Sequence, residues 1–320
     1  MDSLRSFWSA VEAFASALGS VGWGALALAL AFHVLNLALR TRAWRNILGA
    51  AYPTRDVAWP PVLGAYVAGV GVNAVVPARG GDLVKLFLVH RRIEGSTYPT
   101  IGSSLLAETI FDFSMGSALL LWALTLGVTP DLPDLPSLPI FEISWMARHP
   151  LATGIVLILL SAGLAAALII AQYRIRAFWV RVEQGLAILR TPRRYLRSVV
   201  SYQLAGWLTR VATAYFFLQA FHVPATLRNA LLILVVQAVG TVMPFTPGGV
   251  GPKQALLVVL LAGEATRADV LALSVGMEVA IVATNVALGA ACLAAMFRGV
   301  GFREAVAHAR AHAARGRAGS

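Results

Sequence analysis

Two stretches, VNAVVPARGGD at residues 72–82 and VGTVMPFTPGGVG at residues 239–251, interrupt apolar runs in the same way. In each stretch an apolar run stops at a proline, a Gly-Gly pair follows, and a second apolar run begins. In lipid every backbone polar group needs a partner, so a helix breaks only where protein or a wet cavity covers the break. Paired breaks in corresponding places of two halves predict a transporter-like binding site near mid-membrane.

The composition predicts an integral membrane protein, because 58% of the residues are hydrophobic and only 13% are charged. Soluble domains are about one quarter charged. Several apolar runs approach the ~20 residues that cross a bilayer. The predicted segments are 21–39, 57–76, 83–89, 101–128, 151–171, 199–221, 227–243, 253–262 and 270–297. One cysteine and scattered histidines predict no metal site and no cofactor. The net charge of +11 is attributed to membrane-flanking loops and not to nucleic-acid binding.

The arginines predict the topology. They cluster after residue 39, after the first broken segment, in the central loop at 174–197 and in the tail after residue 297. If these clusters are cytoplasmic, they hold 18 of the 26 Lys and Arg residues, four lie outside, and four lie within membrane segments. This asymmetry is typical of the positive-inside rule.

This orientation has a consequence for the two broken segments. The chain is cytoplasmic before residue 57 and again after residue 93, so the first broken segment enters and leaves the membrane on one side. The second starts and ends outside. Five spans and two opposed re-entrant hairpins then form an all-α inverted repeat of span, hairpin and span, with a connecting span. The alternative, in which the hairpins are ordinary spans, places some arginine-rich loops outside.

The predicted organisation has five parts. An amphipathic interfacial helix at 1–19 is followed by a first membrane repeat at 20–128, which contains the re-entrant hairpin 57–93. The third part, at 129–196, comprises an outer loop, the connecting span 151–171 and a basic cytoplasmic segment. A second repeat at 197–297, with its hairpin at 227–263, precedes a basic cytoplasmic tail at 298–320.

Ionisable residues inside membrane segments mark functional sites by default. Glycines let a ligand approach the backbone, and the second half of a broken helix offers free N–H groups to an anion. We therefore expect lipid phosphate to be bound by Arg79, Gly80, Gly81, Lys85, Gly248, Gly249 and Lys253. Charge pairing or ion coupling is expected from Asp82, Glu108, Asp112, Arg210 and Glu278, and the bends from Asn73, Pro77, Pro244 and Pro247. The alternative for the charged residues is structural ion pairing that only holds the hairpins in place.

The motifs around these residues resemble the transmembrane family of lysylphosphatidylglycerol synthase, a group of flippase-like membrane proteins. The resemblance covers roughly residues 20–297 and rests on three signatures. They are Asn73, Pro77, Arg79, Gly81, Asp82 and Lys85; then ETIFD at residues 108–112; then PFTPGGVG at residues 244–251. Three departures are Thr109 in place of the usual Arg, Asp82 in place of Glu, and Lys253-Gln254 in place of an acid.

The resemblance implies a module that moves a lipid with a phosphate-bearing head group between leaflets. The aminoacyltransferase activity of larger relatives is not implied. The expected partners are membrane lipids, either anionic phospholipid or a lipid-linked head group, in a bacterial cytoplasmic membrane with the C-terminus inside. Two alternatives stay open, a membrane-embedded transferase acting on phospholipid or polyprenyl-phosphate lipid and a membrane anchor for a cytosolic lipid-modifying enzyme. A homodimer is also compatible with the sequence.

Overall fold

The computed structural model describes residues 19–76, 80–125, 176–242 and 252–297, and the named elements in these ranges are all helices. They are α1 (Trp23–Ala51), α2 (Trp59–Val75), α3 (Gly80–His90), α4 (Tyr98–Thr125), α5 (Arg176–Gly185), α6 (Pro192–Tyr195), α7 (Ser201–Ala220), α8 (Leu227–Val242), α9 (Pro252–Leu260) and α10 (Arg267–Phe297). Among the described helices, α1, α4 and α10 are long and apolar enough to cross a membrane. The prediction of an all-α polytopic membrane protein is confirmed.

Helix α1 continues well beyond the predicted span 21–39. The apolar run ends at Arg40, but the helix ends at Ala51. Arg40, Arg42 and Arg45 are therefore helical, and the sequence interpretation that placed them in a loop is corrected. Arg42 lies 5.6 Å from the centroid of the Trp59 ring, and Arg45 Nε donates to the Val57 carbonyl oxygen at 2.6 Å. Because the protein supplies partners to these arginines, the helix does not stop where hydrophobicity falls.

Helices α1 and α7 pack antiparallel along most of their length. Near one end the Gly22 N–H donates to the Ala220 carbonyl oxygen at 2.8 Å, and near the other Asn46 Nδ2 donates to the Ser198 carbonyl oxygen at 2.6 Å. Between them, Asn36 Nδ2 donates to the Gly206 carbonyl oxygen at 2.6 Å. These contacts hold the first long helix of one half against the first long helix of the other.

Helices α2 and α3 fold back on each other as a hairpin. A Cβ atom on Gly69 would lie 2.6 Å from the Gly81 carbonyl oxygen, so the two backbones touch. At the open end, Arg55 Nη1 pairs with Glu94 Oε2 at 3.1 Å, which brings the start and the finish of the hairpin together. Helix α3 has 11 residues. It is about 16 Å long, roughly half the hydrocarbon thickness. Re-entry from the cytoplasmic side stays a prediction.

Helices α8 and α9 form a second packed pair whose ends are closed in the same way. Arg228 Nη1 lies 3.4 Å from Glu264 Oε1. In both pairs the glutamate adjoins a glycine with positive φ, Gly95 at 73° and Gly263 at 87°. Only glycine adopts this conformation without strain, so each hairpin ends in a turn that requires it.

In each predicted half of the chain, the first helix of the hairpin packs on a long helix of the other half. Helix α2 of the first half packs antiparallel on α10 of the second, where a Cβ atom on Gly71 would lie 2.8 Å from the Gly289 Cα atom. Helix α8 of the second half contacts α4 of the first. An inverted repeat would produce this exchange, and the repeat and its boundaries stay predictions. The predicted connecting span 151–171, residues 1–18, both bends and the tail 298–320 lie outside the described residues.

Candidate functional site

An arginine held by two carboxylates lies near the centre of the described helices. Arg40 Nε and Nη2 donate to Glu108 Oε1 at 3.0 and 2.8 Å, and Nη2 also donates to Asp112 Oδ2. Glu108 and Asp112 are one turn apart on α4, so both carboxylates face α1. We call these three residues the clamp. Each lies within about four residues, or ~6 Å along the axis, of the middle of its helix.

Three further side chains support the clamp. The Tyr66 hydroxyl of α2 donates to Glu108 Oε1 at 3.1 Å, and Gln203 Nε2 of α7 donates to the Glu108 carbonyl oxygen at 3.1 Å. Trp207 Nε1, also on α7, donates to Asp112 Oδ1 at 3.1 Å. The Glu108 side chain is only 5% exposed. A carboxylate this deeply buried needs such charge-assisted hydrogen bonds to offset its lost hydration. The clamp thus joins α1, α2, α4 and α7.

Arg210 lies one turn beyond Trp207 on α7. Its guanidinium group is 4.6 Å from the centroid of the Trp207 ring, whose N–H group faces Asp112. The indole therefore contacts both the Arg210 cation and Asp112, and within the described ranges Arg210 forms no ion pair. Its predicted part in charge pairing stays a prediction.

A second cluster closes the α2–α3 hairpin. Lys85 Nζ pairs with Asp82 Oδ1 at 3.0 Å and lies 4.3 Å from the centroid of the Tyr66 ring. Asn73 Nδ2 donates to Asp82 Oδ1 at 3.0 Å, and the Gly81 N–H donates to Asn73 Oδ1 at 2.7 Å. Asn73 therefore satisfies a backbone donor at the start of α3 from the neighbouring helix. The Lys85 side chain is 9% exposed, and its charge is balanced within the hairpin.

The second hairpin carries a comparable pair. Lys253 Nζ of α9 lies 3.9 Å from Glu278 Oε2 of α10. These side chains are 16% and 32% exposed, more open than Lys85. In each hairpin the lysine of the shorter helix thus has an acid partner. Lys85 pairs with Asp82 on its own helix α3, and Lys253 of α9 pairs with Glu278 on α10.

A sequence profile of the family described as the lysylphosphatidylglycerol synthase TM region matches residues 4–289 of this chain. The chain belongs to this family. The resemblance inferred from the three motifs is thereby confirmed. No curated protein and no solved structure matches the chain.

The structure shows how the first two motifs shared with the lysylphosphatidylglycerol synthase TM region family are arranged. The structure brings Asn73, Gly81, Asp82 and Lys85 of the first motif into one hydrogen-bonded group. The second motif contributes both acids of the clamp. Thr109, which replaces the usual Arg of this motif, is exposed and donates to the Leu105 carbonyl oxygen at 2.9 Å. The departure at Thr109 therefore leaves the clamp intact.

Several predicted site residues of this family member lie outside the described residues, and their roles stay predictions. They are Pro77, Arg79, Pro244, Pro247, Gly248 and Gly249. Gly80 is described as the first residue of α3, directly before the Gly81 N–H that bonds Asn73. In the same described ranges, no three His, Cys, Asp or Glu side chains are arranged to hold a metal ion.

The sequence interpretation missed four residues of the site, Arg40, Tyr66, Gln203 and Trp207. A signal for Arg40 was present, since two acids on one face of a membrane helix need a cation opposite them. Arg40 directly follows the first apolar run, where the sequence predicts a loop. Tyr66 and Trp207 gave no signal, because aromatic residues in membrane helices are more often packing residues.

Proposed function

We propose that this protein moves a phosphate-bearing lipid, or a lipid-linked head group, between the leaflets of a bacterial cytoplasmic membrane. The exposure of the clamp supports this function. The Arg40 and Asp112 side chains are 23% and 26% exposed near the middle of helices long enough to span a bilayer. A charged side chain at the bilayer centre costs about 2.5–3.5 kcal/mol or more, so such groups face the bundle interior or a water-filled cavity, and their partial exposure at this depth favours the cavity. A polar cavity at this depth is what the passage of a head group requires.

Recognition of the phosphate is assigned to the hairpins. Arg79 would offer the planar fork of donors that suits phosphate oxygens, and Lys85 and Lys253 would offer point charges. Because each lysine already has a carboxylate partner, an entering phosphate would replace Asp82 or Glu278. Exchange of one anion for another avoids a buried, unpaired cation in the empty state, which is costly.

The same geometry disfavours the alternative of a membrane-embedded transferase. A transferase would need a catalytic carboxylate, and Glu108 and Asp112, the two acids on one face of α4, are both ion-pair partners of Arg40. A general base must be free to reach the proton that it abstracts. The clamp instead engages both acids in holding four helices together.

In this proposal the end of the molecule that carries Ala51 and Tyr98 faces the cytoplasm. Arg45 in the last two turns of α1, Arg55 beyond that helix and the basic stretch that begins at α5 lie at this end, which supports the orientation through the positive-inside rule. The C-terminal tail would lie on the same side.

The proposal is tested with purified protein in liposomes that contain a fluorescent phospholipid, by measuring how fast the inner-leaflet label becomes accessible to a reductant. We expect wild-type protein to accelerate the exchange, and Arg79→Gln and Asp112→Asn to abolish the acceleration. Arg91→Gln is the matched control, because Arg91 is exposed and only stacks over Phe87 at 5.7 Å. Wild-type exchange no faster than in empty vesicles would refute the function. Mass spectrometry of the lipids separates transport from a transferase, which would leave a new product.

A further inference from the structure

A basic stretch wraps the ends of α1 and α4. It comprises α5, a 3-10 turn (Ala187–Arg190), α6 and a π turn (Leu196–Val200), and we call it the collar. Gln184 Nε2 donates to the Ala51 carbonyl oxygen at the end of α1 at 2.9 Å. A Cβ atom on Gly185 would lie 3.0 Å from the Ser104 N atom of α4, so only glycine permits this close approach.

The collar lies at the level of the helix ends. Its close contact with α4 falls within the first seven residues of that helix, from Tyr98 to Ser104, which corresponds to about 9 Å along the axis. When the 28-residue α4, about 42 Å long, is centred in a bilayer about 40–45 Å thick, this contact falls at the level of the lipid head groups.

The outer surface of the collar combines positive charge with apolar side chains. Its exposed arginines are Arg181, Arg190, Arg193, Arg194 and Arg197. Glu183 is the acid in this described stretch, and it pairs with Arg190 at 2.9 Å. Between the arginines, Phe178, Val180 and Leu196 are 43%, 60% and 57% exposed.

We propose that the collar binds the anionic head groups of the leaflet that it faces. Each basic residue near an anionic leaflet strengthens binding by roughly fivefold, and exposed apolar side chains of an interfacial helix enter the boundary between head groups and acyl chains. The depth of the collar favours lipid over an acidic soluble protein, because the apolar side chains already lie at the membrane boundary.

The inner surface of the collar connects this lipid site to the clamp. Ile188 and Val199 are buried together with Ala43, Ile47 and Ala107. Ala107 directly precedes Glu108, and Ala43 lies one turn from Arg40. Lipid bound to the collar is therefore expected to fix the position of the clamp. This effect on transport rests on the proposed function, whereas the lipid binding does not.

The lipid binding is tested by native mass spectrometry of the full chain, extracted from vesicles of equal phosphatidylglycerol and phosphatidylcholine. We expect wild-type protein to retain phosphatidylglycerol in excess, and Arg193→Gln/Arg194→Gln to lower that excess by roughly tenfold or more. The matched control is Arg228→Gln/Arg267→Gln, which removes two exposed arginines outside the collar. All variants must first show the wild-type melting temperature. Added salt should weaken the excess, because exposed charges are screened.

Three results would overturn the collar as a lipid site. They are an unchanged excess in the collar variant, an equal loss in the control, and retention of an acidic protein in place of lipid. In the liposome exchange assay, phosphatidylglycerol should accelerate wild-type transport and not that of the collar variant. Lipid binding without any transport would reject the proposed function and leave the collar proposal standing.

Discussion

Replacing Arg40 by methionine tests whether the clamp holds the four helices together. Met keeps most of the volume of the side chain and removes its charge. Glu108 would then lose the hydrogen bonds at 3.0 and 2.8 Å from Arg40 and keep the bond at 3.1 Å from Tyr66. The substitution therefore leaves an uncompensated carboxylate in a buried position.

The expected cost follows from the exposure of the two acids. Glu108 is 5% exposed, and breaking a buried ion pair on one side costs about 3–5 kcal/mol. Asp112 is 26% exposed and keeps its bond from Trp207, so solvent screening reduces its share to below about 1 kcal/mol. Because the entropy of unfolding grows with chain length, a total near 4 kcal/mol in a chain of 320 residues corresponds to a melting temperature lower by roughly 6 °C.

The assay is thermal unfolding of purified protein in mild detergent, followed by the loss of the monodisperse elution peak. Arg42→Met is the matched control on the same helix, because Arg42 only stacks over Trp59 at 5.6 Å. Such a contact contributes about 0.5–1 kcal/mol. Arg40→Met/Glu108→Gln should recover most of the lost stability, since it removes both charges and keeps an acceptor for Tyr66.

Two outcomes would contradict this reasoning. If Arg40→Met melted at the temperature of Arg42→Met, the clamp would not stabilise the fold. If the double variant melted no higher than Arg40→Met, the loss would come from packing and not from an unpaired carboxylate.

Two further predictions concern the first hairpin. Gly81→Ala should lower the free energy of unfolding by about 1–3 kcal/mol, because the new Cβ atom would lie 2.7 Å from the Asn73 N atom. Gly49→Ala is the control and should not lower the melting temperature, because the space around Gly49 is open. A Gly81→Ala protein as stable as wild type would show that α3 shifts freely on α2. Arg55→Gln should lower the free energy of unfolding by less than about 1 kcal/mol, because its partner Glu94 is 87% exposed. A larger loss would mean that this pair is essential to hairpin closure.

The fold class and the motif residues were accessible from the sequence because both depend on local patterns. Hydrophobic runs of membrane length predicted the helices, and the Pro and Gly-Gly breaks predicted where short helices begin. The partners of the charged residues were not accessible. Arg40 and Glu108 are separated by 68 positions, and only the packing of α1 on α4 brings them together. The rule that arginines mark loops failed at Arg40 because it counts charges without their partners.

The contact between Gly71 and Gly289 limits how the molecule can move. With no side chains between them, the two backbones touch, so we expect the hairpin of the first half and the last long helix of the second to move together. The mechanical units of the protein therefore do not coincide with the halves of its sequence. Rocking of one half against the other would separate this contact, and we expect the conformational change to occur between the α2–α3–α10 unit and the antiparallel α1–α7 pair.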